Sequence, residues 1–300
     1  MGLTTEDMKN TAGVLVVVGS GGVGLAIARR MGSGHHIVLA DFSEKQLELS
    51  AQALREEGQV VDTVRTDVAS MESVQNLVQH VTKFGPIRAI AHTAGLSPVQ
   101  ASADQIYQVD LLGAAQVIEE EFYPHVTHGT AMVVIASIAG HGKHSAISPE
   151  LEKHLAIAPS SELLLRPEFD TSTHNSDDPI KDYLGRMKAY SVSKRANIVR
   201  VQAAASAWGI KGARINSVSP GAIATAIGRQ EIDGPIGGSA IKEAIARIPA
   251  KRIGSPIEIA NVVAFLSSPE SSFITGNDII VDGGWVSSDK WADATSIAER

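Results

Sequence analysis

The sequence predicts a doubly wound α/β fold built on a parallel sheet, and three observations carry that prediction. Continuous aliphatic runs such as Val14–Val18 read as strands buried on both faces, the mark of a parallel sheet. These runs alternate with helical stretches over most of the chain, the rhythm of βα units. The first run passes straight into a glycine-rich turn and then into a helix. Three hundred residues with 44% hydrophobic content can bury a substantial core. No linker, internal repeat or low-complexity tract divides the chain, so one domain of about seven strands is expected.

The elements follow in order. After Val14–Val18 comes Gly19-Ser20-Gly21-Gly22-Val23-Gly24, and residues 25–31 read as a helix. In that context Gly19, Gly21 and Gly24 form G-x-G-x-x-G: they permit a tight turn and let the backbone approach a pyrophosphate seated on the helix N-terminus. The bland alternative is an ordinary glycine-rich turn. A second strand, residues 36–40, ends at Asp41, roughly 20 residues beyond the glycines, where a carboxylate can accept hydrogen bonds from ribose hydroxyls and repel a 2′-phosphate. No arginine or lysine stands in the turn or immediately after Asp41, which favours NAD over NADP. Alternatively Asp41 caps the next helix, a role that Ser43 fits better, with Gln46 in the capping-box position.

Val60–Arg65 is a third strand, followed by Thr66-Asp67-Val68 and a helix to Val81. Residues 87–91 form the fourth, ending in His92-Thr93-Ala94-Gly95. A long amphipathic segment covers 103–121, and residues 131–136 make a fifth strand ending at Ser137. The rhythm then breaks over 142–187, where helix-like pieces at 148–155 and 161–165 and a polar span at 170–178 suggest a lid or added subdomain. Next comes the stretch 189–197, with Tyr190 and Lys194 four apart at the expected start of a long helix. Residues 213–219 are a sixth strand, broken by Pro220-Gly221. Glycine, alanine and isoleucine dominate 222–250, a composition suited to a mobile flap. A helix at 257–266 and a last strand, Asp278–Val281, close the pattern.

Composition narrows the function classes. A net charge of -7 gives no broad attraction to nucleic acid or an anionic membrane. The absence of cysteine excludes disulfides, zinc–thiolate sites and a cysteine nucleophile, and no metal is expected. Residues 1–10 are polar with no apolar run behind a basic flank, so no signal peptide is expected, and no stretch has the length to span a bilayer. A soluble cytoplasmic protein is the default.

Tyr190 and Lys194 share one helix face. An ammonium beside a phenol favours the phenolate, so Tyr190 is expected to have a lowered pKa and to exchange protons near neutrality. Taken alone, such a pair occurs on many helix surfaces by chance.

Taken together, the motifs from about residue 12 to 286 resemble the short-chain dehydrogenase/reductase family. They are the glycine turn after the first strand, Asp67-Val68 after the third, Thr93-Ala94-Gly95 after the fourth, and Ser137-Ile138-Ala139-Gly140 after the fifth. Then come Tyr190-x-x-x-Lys194, Pro220 through Thr225, Ile274-Thr275-Gly276 and Val281-Asp282-Gly283-Gly284. The resemblance implies that Tyr190 is the general acid/base, that Lys194 lowers its pKa and holds the nicotinamide ribose, and that Ser137 holds the substrate oxygen. It implies an NAD site formed by Gly19, Ser20, Gly21, Gly22, Val23, Asp41, Phe42, Asp67, Val68, Thr93, Ala94, Gly95, Tyr190, Lys194, Pro220, Gly221, Ile223 and Thr225. For Ser137 and Thr225 the alternative is a plain capping hydroxyl. The implied partners are a small alcohol or ketone and further copies of the chain, as a dimer or tetramer unless the insertion covers the helix face that other members use to pair subunits.

The chain departs from the family pattern in four places. Its glycine turn is one residue shorter and begins at Val18 instead of threonine. His92-Thr93 replaces the usual Asn-Asn. Asp110 stands where an asparagine supports a proton relay to the lysine, so it is expected to retain or alter that relay. Ser137 and Tyr190 lie 190 - 137 = 53 positions apart because of the insertion, as in some carbonyl reductases. Leu151, Leu155, Leu163, Leu164 and Leu165 in that insertion either wall an apolar pocket, suiting a steroid or terpenoid, or anchor the segment to the core. The expected activity is interconversion of a secondary alcohol and a ketone. The alternative is a dinucleotide-binding regulatory or scaffold protein that no longer turns over.

Overall fold

The computed structural model describes residues 13–171 and 178–292, without the side chains of residues 120 and 121. All seven expected strands form: β1 Val14–Val18, β2 His36–Asp41, β3 Val60–Arg65, β4 Ile87–His92, β5 Ala131–Ile135, β6 Arg214–Pro220 and β7 Asp278–Val281. They make one parallel sheet in the order β3-β2-β1-β4-β5-β6-β7. Side chains alternate across a strand. Val14, Val16 and Val18 therefore enter one core layer with Leu77, Phe122 and Trp208, while Leu15 and Val17 enter the opposite layer with Ile27, Leu54 and Val263. Both layers are covered by helices, which explains why β1 is apolar at every position.

The helices are α1 Gly22–Met31, α2 Glu44–Glu56, α3 Met71–Val81, and α4 over 103–121, which widens to π geometry at Tyr107–Gly113 and Gln116–Glu121. Next come α5 Pro149–Ile157, the one-turn α6 Ser160–Leu163, α7 Pro179–Ile210, α8 Ala226–Asp233, α9 Gly238–Arg247, α10 Pro256–Ser267 and α11 Trp285–Lys290. No helix among the described residues is long and apolar enough to cross a membrane.

Three expectations change. Tyr190 does not stand at the start of its helix, because α7 begins at Pro179: Asp178 caps it, accepting from the amides of Ile180 and Lys181, and proline fills the first position. The break in the βα rhythm thus ends before 187. Of the polar span at 170–178, residues 172–177 lie outside the described residues. The stretch 222–250, expected as a flap, is not an irregular loop but holds α8 and α9, joined by a turn in which Gly237 takes a left-handed φ of +86°.

The insertion's leucines mostly anchor it. Leu151, Leu155 and Leu163 are buried in a third core layer with Tyr107, Phe169, Val192 and Val199, while Leu165 is exposed. Arg200, buried in α7, fixes the segment further by donating to the carbonyls of Leu155 (3.1 Å) and Ala158 (2.9 Å) and pairing with Glu119 (2.8 Å). Leu151, Leu155 and Leu163 therefore supply packing.

Candidate active site

Strand order reverses between β1 and β4, and ligands of such sheets enter the crevice beyond the carboxyl ends at that point. The glycine turn lies there. At Gly24 a Cβ would stand 1.8 Å from the Gly19 carbonyl oxygen, so only glycine lets α1 pack this closely on the turn. Gly19 itself has φ +96°, and a Cβ there would strike the Ala94 amide. Above Gly21, by contrast, nothing lies within 4 Å. This open cradle sits at the N-terminus of a ten-residue helix with no acid in its first turn. That combination fits a pyrophosphate. Thr93 ties the turn to β4: its hydroxyl donates to the Gly19 carbonyl (2.7 Å), and the amides of Thr93 and Ala94 both donate to that of Val18.

Beside the turn, Asp41 is held rigidly. Its Oδ2 accepts from the Ser20 amide (2.7 Å) and hydroxyl (3.0 Å), and its Oδ1 from the Ser43 amide (2.9 Å). Ser43, not Asp41, caps α2 through its hydroxyl. Sequence reasoning missed Arg65, which the β2–β3 register places directly opposite Asp41. Its guanidinium lies 5.0 Å from the centre of the exposed Phe42 ring. A cation therefore stands near Asp41 although none follows it immediately in sequence.

The other expected cofactor residues line the same edge. Asp67 accepts from the Ala69 amide (3.0 Å), and Val68 is buried against Gly113. Pro220 ends β6, and the Gly221 amide donates to Val281. Ile223 is buried and bridges to Gly254. Thr225 packs against Gly22 across the cleft, which brings the end of the β6 connection to the glycine turn, and its hydroxyl caps α8 through the Gly228 amide (3.0 Å). Val23 is half-buried just inside α1.

At the cleft floor, α7 presents Tyr190 and Lys194. The Lys194 ammonium lies 5.4 Å from the centre of the Tyr190 ring and 3.4 Å from the Ile135 carbonyl. Ser137, just past β5, accepts from the Ala139 amide (3.1 Å) and lies near enough to Tyr190 to work against the rise of its pKa. Asp110 comes from the widened part of α4: its Oδ1 accepts from the Leu96 amide (2.7 Å) and its Oδ2 pairs with Lys194 at 3.0 Å. Both partners are almost fully buried, and Gly95 must be glycine, since a Cβ would press on both charged groups.

The electrostatics correct one expectation. Burial raises the Tyr190 pKa, and Lys194 opposes this without reversing it, while Glu231 and Asp110 push it further up. A lysine already matched by a carboxylate at 3.0 Å has less positive potential to lend the phenol. Burial works against the Lys194 charge, yet Asp110 and Tyr190 outweigh it and leave its pKa raised. Burial likewise raises Asp110 despite Lys194. His92, at the end of β4, is buried with neither ring nitrogen partnered among the described residues; burial and Lys194 lower its pKa to about 3, so it is neutral. No sequence signal marked Ser97, in the β4–α4 loop, or Glu231, in α8. Burial raises the Glu231 pKa, and Ser97 and Lys194 work against that rise.

The family described as short chain dehydrogenase matches residues 12–149, and one described as enoyl-(acyl carrier protein) reductase matches 179–286. A short-chain dehydrogenase/reductase of Alternaria brassicicola, bsc3, is 37% identical over 90% of this chain and 94% of its own. A 3-alpha-hydroxysteroid dehydrogenase/carbonyl reductase of Comamonas testosteroni is 27% identical over 90% of this chain and 95% of its own. Among solved structures, a levodione reductase superposes with a TM-score of 0.72 at 25% identity, covering 93% of this chain and 99% of that one.

Proposed function

We propose a specific reaction for this chain, which belongs to the short-chain dehydrogenase/reductase family of oxidoreductases: interconversion of a secondary alcohol and a ketone, with NAD(H) as cofactor. The observation that carries this reading is the pairing of Tyr190 and Lys194 on α7, with the ammonium 5.4 Å from the ring centre, beside Ser137 at the carboxyl end of the sheet. When bound, the nicotinamide supplies or takes up the hydride. The chain's own groups do the rest. Ser137 holds the substrate oxygen, and Tyr190 gives it a proton in reduction or takes one in oxidation. Lys194 holds the ribose and tempers the burial of the phenol. Gly19, Ser20, Gly21, Gly22 and Val23 cradle the pyrophosphate. Asp41 and Phe42 meet the adenosine ribose, Asp67 and Val68 the adenine, and Thr93, Ala94 and Gly95 the same side. Pro220, Gly221, Ile223 and Thr225 hold the carboxamide.

Because the Tyr190 pKa is raised, the phenol carries its proton at neutral pH and is ready to reduce a ketone. Ketone reduction should therefore stay level through neutrality, whereas alcohol oxidation should climb as pH rises. A ring alcohol or ketone is the favoured substrate, supported by relatives named for a hydroxysteroid and for levodione. The chain is read as acting in a homo-oligomer, dimer or tetramer. The Asp110–Lys194 pair is the observation that favours a second reading, a dinucleotide-binding regulatory or scaffold protein with little turnover.

The test is to titrate NADH and NADPH separately by fluorescence, then to screen ring alcohols and ketones with the wild type and Tyr190→Phe. NADH should bind more tightly because of Asp41; equal or tighter NADPH binding, with Arg65 taking the phosphate, overturns the NAD assignment. Turnover should collapse in Tyr190→Phe while NADH still binds, and retained turnover removes Tyr190 from its role. NADH binding with no turnover of any substrate supports the second reading.

A further inference from the structure

Asp41, at the end of β2, has little hydrogen-bonding capacity left. Its Oδ2 accepts from both the amide (2.7 Å) and the hydroxyl (3.0 Å) of Ser20, and its Oδ1 accepts from the Ser43 amide (2.9 Å). A carboxylate has about four acceptor positions. Asp41 therefore keeps room for about one further donor, a single ribose hydroxyl instead of two.

Arg65 is in the opposite condition. Strands β2 and β3 run parallel with Asp41 directly opposite Arg65, so the two side chains leave the same face of the sheet at its carboxyl end. The guanidinium lies 5.0 Å from the centre of the ring of Phe42, the residue next to Asp41. Its Nε stands 3.9 Å from Glu44 Oε1, too far for a hydrogen bond, and the two side chains are 55% and 81% exposed. So loose and wet a contact binds neither partner firmly. Among the described residues the guanidinium donates no hydrogen bond. Its place against the Phe42 ring steadies it without using a donor, and its planar fork matches the oxygens of a phosphate.

The acid that disfavours a 2′-phosphate and a cation free to receive one thus stand on neighbouring strands. We propose that Arg65 determines cofactor specificity by receiving the 2′-phosphate of NADP, so that the chain accepts both dinucleotides with only a modest preference for NAD. This rests on the reading above that places the adenosine ribose at Asp41.

The test measures dissociation constants of NADH and NADPH by fluorescence titration at fixed ionic strength. It uses the wild type, Arg65→Met, Arg65→Lys, Asp41→Asn, and Asp41→Asn combined with Arg65→Met, and thermal midpoints show that each variant is folded. In the wild type NADPH should bind more weakly than NADH by less than about 10-fold; a larger gap, the discrimination expected of an unopposed carboxylate, overturns the proposal. Arg65→Met should widen the gap about 30-fold, the loss expected for hydrogen bonds to a charged group, while NADH binding holds within about 2-fold. Arg65→Lys, which keeps the charge and loses the fork, should fall between. Asp41→Asn should bind NADPH more tightly than NADH, and adding Arg65→Met should remove that gain. Calorimetry with 2′,5′-ADP and 5′-AMP, which differ only in the 2′-phosphate, should show the same dependence on Arg65. An unchanged gap in Arg65→Met overturns the proposal, and so does equal weakening of both dinucleotides, which would make Arg65 a support for Phe42. NADPH binding tighter than NADH in the wild type overturns the NAD assignment alone, and the gap in Arg65→Met still decides the role of Arg65. Binding of neither dinucleotide removes the cofactor reading and the proposal with it.

Discussion

Replacing Lys194 with methionine leaves the Asp110 carboxylate buried without its cation, and the cost can be worked from the geometry. The two charges lie 3.0 Å apart, with side-chain exposures of 5% and 0%. At an effective dielectric of about 20 their attraction is about 5.5 kcal/mol. Breaking such a pair on one side costs about 3–5 kcal/mol, because the stranded charge keeps its desolvation penalty. Lys194→Met should therefore lower unfolding stability by about 4 kcal/mol, a drop in Tm of roughly 10 °C for a chain of this size.

The loss should also depend on pH. Burial already raises Asp110, and without Lys194 only the Leu96 amide opposes that. An acid whose folded pKa exceeds its unfolded value of about 3.9 costs stability as pH climbs from that value towards the folded one. The deficit should be small near pH 4 and grow as pH rises towards neutrality. Asp110→Asn combined with Lys194→Met, which removes both charges and keeps an acceptor for the Leu96 amide, should recover most of the loss. Urea unfolding of the cofactor-free protein at several pH values measures all of this. A deficit below about 1 kcal/mol, or one independent of pH, refutes a dry, buried ion pair.

Gly21→Ala should fold normally, since Gly21 has an ordinary φ of -69° and open space around it, yet weaken NADH binding by at least about 10-fold by narrowing the cradle. Gly24→Ala should instead lose about 3 kcal/mol of stability, because its Cβ would overlap the Gly19 carbonyl; unfolding and fluorescence titration separate the two cases. Arg200→Met strands the Leu155 and Ala158 carbonyls and should cost about 3 kcal/mol. Amide exchange across residues 149–163 should quicken in that variant, and unchanged exchange would show that Arg200 does not hold the segment down.

Strands β1, β2 and β5 were legible in the sequence because each is a short apolar run closed by a glycine, acid or serine. The glycine turn was legible because its chemistry is local: strand, tight turn and helix lie within 18 residues, Val14–Met31. The start of α7 was readable in principle from Asp178-Pro179, but the polar span before it masked the signal. The sequence also named Ser137, Asp110, Tyr190 and Lys194 as neighbours through a family resemblance, and Tyr190 with Lys194 directly, because helical spacing alone puts them on one face.

What the sequence could not decide was the balance of energies among groups far apart in the chain. Tyr190 was expected to be acidified by Lys194, yet its pKa depends on burial and on Asp110, which sits 80 positions before it and neutralises the lysine. Arg65 reaches the neighbourhood of Asp41 only through strand register. The leucines of the insertion looked equally able to line a pocket or to fill a core, and packing against Tyr107 and Val192 decided for the core. Motif spacing determines the identity of the reacting groups, since it is fixed along the chain. Their charge states and the shape of what they accept depend on solvent exclusion and long-range proximity, which exist only once the sheet and its helices have assembled.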